Sequence, residues 1–167
     1  ENARRAYAAA LAEIEDRDWE SATSMLEQIR REYVYSRYAR LAELRLADIA
    51  YDEEKYAEAV TAYRQYVKDH PNDPENVYAR YRTCKALFEQ FGDSFMLPPQ
   101  EERDLAAAVD AYAALGTFLR DYPDYRFAPE LSYMAKVTGG LLARHELYVA
   151  RFYLRENRFQ AAEARCR

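Results

Sequence analysis

Little in this chain is built to bend sharply, crosslink or hold a metal. Glycine and proline contribute 4 and 6 of its 167 residues, about half of their usual combined share of roughly 12%, which excludes collagen-like and low-complexity chains. Two cysteines, Cys84 and Cys166, are too few for a disulfide scaffold and lack metal-ligand spacing. The only imidazoles, His70 and His145, belong to no HExxH or comparable pattern. His145 and Glu146 are chain neighbours, which on a helix point in different directions. Four scattered glycines form no phosphate-cradling loop. No uncharged apolar run approaches the ~20 residues that a membrane-spanning helix needs, and no targeting signal is visible from Glu1 onward. A catalytic constellation is missing throughout, so the expectation is a protein that is not an enzyme and uses no cofactor and no metal.

What remains is rich in apolar and charged residues, 50% and 32% of the chain, enough to bury a core and exclude a disordered chain. The formal charge of −5 is unevenly spread. Residues 1 to 125 carry 16 basic and 25 acidic side chains, and residues 126 to 167 carry 8 and 4. A generally basic nucleic-acid footprint is absent. Sixteen Tyr and seven Phe stand against one Trp, and these rings need buried homes or a binding surface.

The chain repeats itself. Ala10, Trp19, Ala22, Leu26, Ile29 and Val34 are matched 37 residues on by Ala47, Tyr56, Ala59, Tyr63, Tyr66 and Pro71. A further 52 residues bring Ala111, Leu115, Phe118 and Pro123, and 103 residues from the second set come Ala150, Phe159 and Ala162. Small residues that allow close helix contact, with apolar spacing of i, i+3, i+4 and i+7, predict paired helices. The pairs fall at about 3 to 16 with 18 to 33, 37 to 51 with 53 to 69, and 75 to 91 with 104 to 121. A long helical stretch follows over about 127 to 156, and a last helix starts at 158. Asp18, Asp52 and Asn157 stand where second helices should begin, Asn157 with Gln160 as a capping box. Pro71 stops one helix, Asp73 can cap the next, and Pro74 suits its first position. Gly139 and Gly140 should kink the long stretch or split it in two.

The fold class is therefore all-α, a right-handed superhelical solenoid of antiparallel helix pairs similar to tetratricopeptide repeats. One array spans 1–167: repeat 1 over about 3–34, repeat 2 over about 37–71, repeat 3 over about 75–123 with a loop insertion at 92–103, and a long helix with an incomplete repeat 4 over about 127–167. In such arrays the first helix of each pair lines the concave surface. The inward positions are then Tyr7, Leu11 and Ile14, next Leu44, Asp48 and Tyr51, then Tyr81, Cys84, Phe88 and Phe91. Each can instead pack between neighbouring helices, but as a set they suit a half-wet groove for a polypeptide. Cys84 reads as a small buried hydrophobe. Arg144, Arg151 and Arg155 share one helical face and form either a solvated stripe or a docking site for an acidic partner. In the insertion, Phe95, Met96 and Leu97 before Pro98 and Pro99 either fold back on the third unit or meet a partner.

Certain strings go beyond a generic repeat. Tyr38-Ala39, the run from Tyr56 to Pro71, 76 to 81 (NVYARY), 95 to 104 (FMLPPQEERD), Asp121-Tyr-Pro123 and above all 145 to 153 (HELYVARFY) resemble the BamD family, the repeat lipoproteins of the outer-membrane β-barrel assembly machinery. The resemblance spans nearly the whole chain. It implies a periplasmic location at the inner leaflet of the outer membrane, with a lipid anchor on a cysteine outside this sequence. It implies N-terminal repeats that receive unfolded barrel-protein segments and C-terminal repeats that dock on BamA and other assembly subunits, with no nucleic acid involved. Val34 departs from the family's usual Tyr-Pro ending of the first repeat, and Thr83-Cys84 from a pair that commonly includes glycine. On this reading Tyr7, Leu11, Leu44, Asp48, Tyr51, Tyr81 and Phe88 hold a client and Arg144, Arg151 and Arg155 dock a partner. Two alternatives stay open, a generic periplasmic tetratricopeptide adaptor for cell-envelope coordination and a structural scaffold without client binding.

Overall fold

The computed structural model describes residues 2–92 and 105–166. Its helices are α1 (Asn2–Glu15), α2 (Trp19–Glu32), α3 (Arg37–Asp52), α4 (Tyr56–Asp69), α5 (Asn76–Gly92), α6 (Ala106–Asp121), α7 (Ala128–Arg155) and α8 (Phe159–Cys166). Among the described residues helix is the only regular structure. The chain forms two compact units, residues 1–86 and 87–167, with the boundary inside α5. In the first, α1 packs on α2, α2 on α3 and α3 on α4, and α1 also meets α3. In the second, α6 packs on α7 and α7 on α8. No described helix is long and apolar enough to cross a membrane. The segment carrying Phe95, Met96, Leu97, Pro98 and Pro99 lies outside the described residues.

The sequence period reappears in the hydrogen bonds. The amides of Tyr33, His70 and Tyr122 close the ends of α2, α4 and α6 on the carbonyls of Ile29, Tyr66 and Phe118, positions separated by the 37 and 52 residues found in the sequence. The turns inside three helix pairs share another feature, left-handed backbone at Arg17, Glu54 and Asn157 (φ 59°, 62° and 58°). Each stands two residues ahead of its second helix. Asparagine tolerates that conformation, whereas Arg and Glu carry its steric cost.

The capping expectations divide. Asp18 caps α2, accepting the Ser21 amide at 3.0 Å, and Asp73 accepts the Glu75 amide at 3.0 Å ahead of α5. Asp52 does not cap: it ends α3, and Lys55 stands before α4 without a side-chain cap bond. Asn157 is no cap either, because its left-handed backbone makes it the turn residue two places before α8. The expected break at Gly139 and Gly140 is also corrected, since α7 runs unbroken for 28 residues. Gly139 instead serves packing: a Cβ there would stand 3.0 Å from Cε2 of Tyr112 on α6.

Most of the repeat positions are the core, while Val34, Pro71, Pro123 and Phe159 are exposed and Trp19 and Tyr56 half-buried. Ala10, Ala22, Leu26, Ile29, Ala47, Ala59, Tyr63, Tyr66, Ala111, Leu115, Phe118, Ala150 and Ala162 are all buried. Alanine at the crossings lets helices approach closely, and each buried Leu or Ile contributes on the order of 1.5–3 kcal/mol. Enlarging such an alanine would overpack the contact at a cost of about 1–3 kcal/mol.

Candidate functional site

In the first unit α1, α3, α4 and the start of α5 bring together a polar cluster centred on Asp48. Its carboxylate accepts hydrogen bonds from Nη1 of Arg45 (2.5 Å), from the Tyr63 hydroxyl (2.5 Å) and from the Tyr78 hydroxyl (3.0 Å), and Nε of Arg82 stands 3.2 Å away. Arg82 also donates to the Tyr63 hydroxyl at 2.9 Å, and Nε of Arg45 donates to the Tyr7 hydroxyl at 3.2 Å. The arginines lie over rings as well as beside charge. Arg82 is 4.0 Å from the centre of Tyr51, and Arg45 is 5.5 Å from that of Tyr78. Delocalised guanidinium suits this combination of stacking and forked donation, which an ammonium could not reproduce.

The electrostatics follow from burial and pairing. Burial pushes the Asp48 carboxyl above the usual carboxylate range, while Arg45, Arg82 and the hydroxyls of Tyr63 and Tyr78 pull it back. Every partner is a donor here, so only the ionised carboxylate satisfies them all. Burial opposes charge on Arg45, but Asp48 and Tyr7 outweigh it, and its pKa rises. Arg82 behaves likewise beside Tyr63 and Asp48. Burial and then Asp48 push the Tyr78 phenol up to about 12.

The expected groove residues reach different fates. Tyr7 is buried, with its ring 5.6 Å from that of Tyr38. Leu11 and Ile14 are half-buried against the first core cluster. Leu44 presents no surface to a ligand: it is fully buried and belongs to the core. Asp48 is likewise not a free acceptor, because its oxygens are already taken. Tyr51 is half-buried between Arg82 and Tyr56, whose ring is 5.3 Å away. Tyr81 is buried beside Tyr78 at 6.3 Å. Cys84 is buried, which pushes its thiol up to about 12. Phe88 and Phe91 belong to the second unit, half-buried and in edge contact at 5.2 Å.

Also in the second unit, Arg144, Arg151 and Arg155 are exposed on α7. Arg151 and Arg155 border a hollow of about 370 Å³ with Tyr148 and Leu154. Leu147, Phe152 and Phe159 are exposed large apolar residues of the same α7 end and of α8.

Arg45, Arg82 and Tyr78 were not among the residues expected from the sequence to form the site. One signal for the arginines was available: Arg45 and Arg82 are themselves 37 residues apart. The same period that marks the core marks the pair that grips Asp48.

A family model described as YfiO, outer membrane lipoprotein, matches residues 1–167. The outer membrane protein assembly factor BamD of Caulobacter vibrioides is 26% identical over 159 residues, covering 95% of this chain and 50% of that protein. BamD of Neisseria gonorrhoeae is 27% identical over 165 residues, 96% of this chain and 61% of that protein. BamD of Xylella fastidiosa (strain 9a5c) is 25% identical over 153 residues, 89% and 52% of the two chains. The chain thus spans about half to three-fifths of the length of these relatives. Among solved structures, MamA 41-end from Desulfovibrio magneticus RS-1 covers 99% of this chain and 91% of its own at 18% identity and a TM-score of 0.49, a likeness too slight to carry weight. With a match over its entire length, the chain belongs to the YfiO family of outer membrane lipoproteins.

Proposed function

We propose that this chain is a non-catalytic scaffold of outer-membrane protein assembly, which holds unfolded barrel-protein segments on the face formed by α1, α3 and α5. The observation that carries the reading is the Asp48 cluster. It fixes Arg45 and Arg82 with side chains 29% and 14% exposed, Arg82 over the half-buried Tyr51, while α1 contributes the half-buried Leu11. Guanidinium groups held at a partly wet surface can donate to the carbonyls of an extended chain, and Tyr and Leu supply apolar contact. Asp48 acts through the arginines it orients and does not touch the client.

Docking on BamA and other assembly subunits belongs to α7, through Arg144, Arg151 and Arg155. Support comes from the adjoining exposed Leu147, Phe152 and Phe159, since arginine with aromatic and aliphatic residues is the composition of interface centres. The working location is the periplasmic side of the outer membrane, with a lipid anchor supplied by residues outside this sequence.

Titration with a C-terminal barrel-strand peptide and its scrambled control tests the first half. Preference for the native order supports it, and equal binding rejects it. Arg151→Glu tests the second, with loss of BamA capture expected while peptide binding is kept.

A further inference from the structure

On α2, α3 and α4, away from the Asp48 cluster, the first unit carries a furrow. One part, about 640 Å³, lies against Arg30, Glu43, Leu46, Glu58, Ala62 and Asp69. A second part of about 350 Å³ shares Arg30 and Glu43 with it and extends to Val34, which is 62% exposed. The larger part lies within the roughly 300–1,000 Å³ range of ligand-binding clefts.

The charges in the furrow are unevenly answered. Arg30 faces Glu43 at 3.7 Å, Glu43 also meets His70 at 2.8 Å, and Arg31 faces Glu27 at 3.6 Å. Glu58 and Asp69 form no close ion pair among the described residues, although Glu58 acts on the Lys55 ammonium from longer range. Lys55, the basic residue near Glu58, gives its ammonium to Glu53 at 2.9 Å, and Asp69 receives only the side-chain amide of Gln65 at 2.7 Å. These two carboxylates stand at the ends of one stripe of α4, eleven residues or ~16 Å apart at 1.5 Å per residue. Between them the wall begins with the small side chains of Thr61 and Ala62 and continues with Gln65, which leans onto Asp69, and the ring of Tyr66.

We infer that this furrow docks an amphipathic helix of a partner protein, with basic side chains eleven residues apart that meet Glu58 and Asp69. Residues eleven apart return to one helical face, so both cations and the apolar side chains between them point into the furrow together. The small side chains of Thr61 and Ala62 let the helix approach closely at the Glu58 end, beside Leu46. This surface is separate from the client face, and the inference does not rest on that reading.

The test is fluorescence anisotropy on the full chain with a labelled synthetic amphipathic helix of about 18 residues, long enough to hold helix content. One peptide carries lysines eleven apart on its apolar face, and its control carries glutamates there. The lysine peptide is expected to bind. Thr61→Arg, at an exposed position that leaves the core intact, and the double variant Glu58→Gln with Asp69→Asn are each expected to weaken it at least about tenfold. Tyr51→Ala on the client face is expected to leave it unchanged. Equal binding of both peptides, no binding of either, or loss caused by Tyr51→Ala but not by Thr61→Arg would each overturn the inference.

Discussion

Arg45 and Arg82, one repeat length apart in the sequence, meet opposite oxygens of the same Asp48 carboxylate, Arg45 at 2.5 Å and Arg82 at 3.2 Å. This buried anion, with Asp52 at 3.6 Å from Arg82 as a more exposed second, therefore ties the first helices of two successive repeats together. Removing it would leave two partly buried cations and two phenols without their acceptor. Breaking a buried pair this way costs about 3–5 kcal/mol. Asp48→Ala should lose about 3 kcal/mol, the lower end because both arginines keep some contact with water. Urea unfolding of the variant measures it, and a loss below about 1 kcal/mol, the usual worth of an exposed pair, would contradict the role given to this cluster.

Alkali should weaken the first unit. Burial raises Cys84 from an ordinary 9.0 and Tyr78 from an ordinary 10.0, each up to about 12. The folded state holds these protons more tightly than the unfolded chain does, so their contribution is fully present below about pH 9 and is lost as pH rises towards about 12. Denaturation midpoints measured across that window should fall, and Cys84→Ala should flatten the lower part of the decline. Midpoints that stay level would refute the burial of both groups.

On the acid side Asp73 has the opposite sign. Burial acts to raise its carboxyl, but the Glu75 amide and the Arg40 guanidinium at 2.8 Å hold it below the usual 3.8. Its contribution is present above about pH 4 and is lost as pH falls through the lower folded value. Asp73→Asn should be less stable than the parent at neutral pH, and the difference should shrink on acidification.

These residues show what the sequence made readable. The 37-residue spacing marked the buried alanines and aromatics, because helix crossings demand small residues and core positions demand apolar ones at every repeat. The turns were harder. Asp52 and Asn157 are residue types that cap helices, yet what each turn needs is one left-handed residue, a backbone property that Arg17 and Glu54 do not advertise. Asp48 was placed on the right helix with the wrong freedom, since Tyr63, Tyr78 and Arg82 reach it from α4 and α5 and no single-helix periodicity shows which groups meet across helices.

Helix glycines offer a separate check on α6 and α7. A Cβ at Gly116 would meet nothing within 4 Å, and one at Gly140 only Nη1 of Arg144 at 3.7 Å. Alanine at either position should stabilise by up to about 1 kcal/mol through helix propensity. Gly139→Ala should gain less, because the Tyr112 ring must move aside. Thermal unfolding of the three variants should reproduce that order, and a gain at Gly139 equal to the others would remove the packing role given to it.

Glu54 holds a left-handed conformation at φ 62° that Asn157 adopts in the equivalent turn. Glu54→Asn should therefore add several tenths of a kcal/mol, up to ~1, because the short polar asparagine side chain can hydrogen-bond locally in the left-handed region. Calorimetry reads this directly, and a destabilised variant would contradict it.

Function turns most on the client face. The affinity of a C-terminal barrel-strand peptide for the parent and for Tyr51→Ala, measured by anisotropy with helix content verified by circular dichroism, tests it most directly. Loss of a half-desolvated aromatic anchor predicts binding about tenfold weaker or worse with helicity intact, whereas unchanged affinity in the folded variant would contradict recognition on α1, α3 and α5.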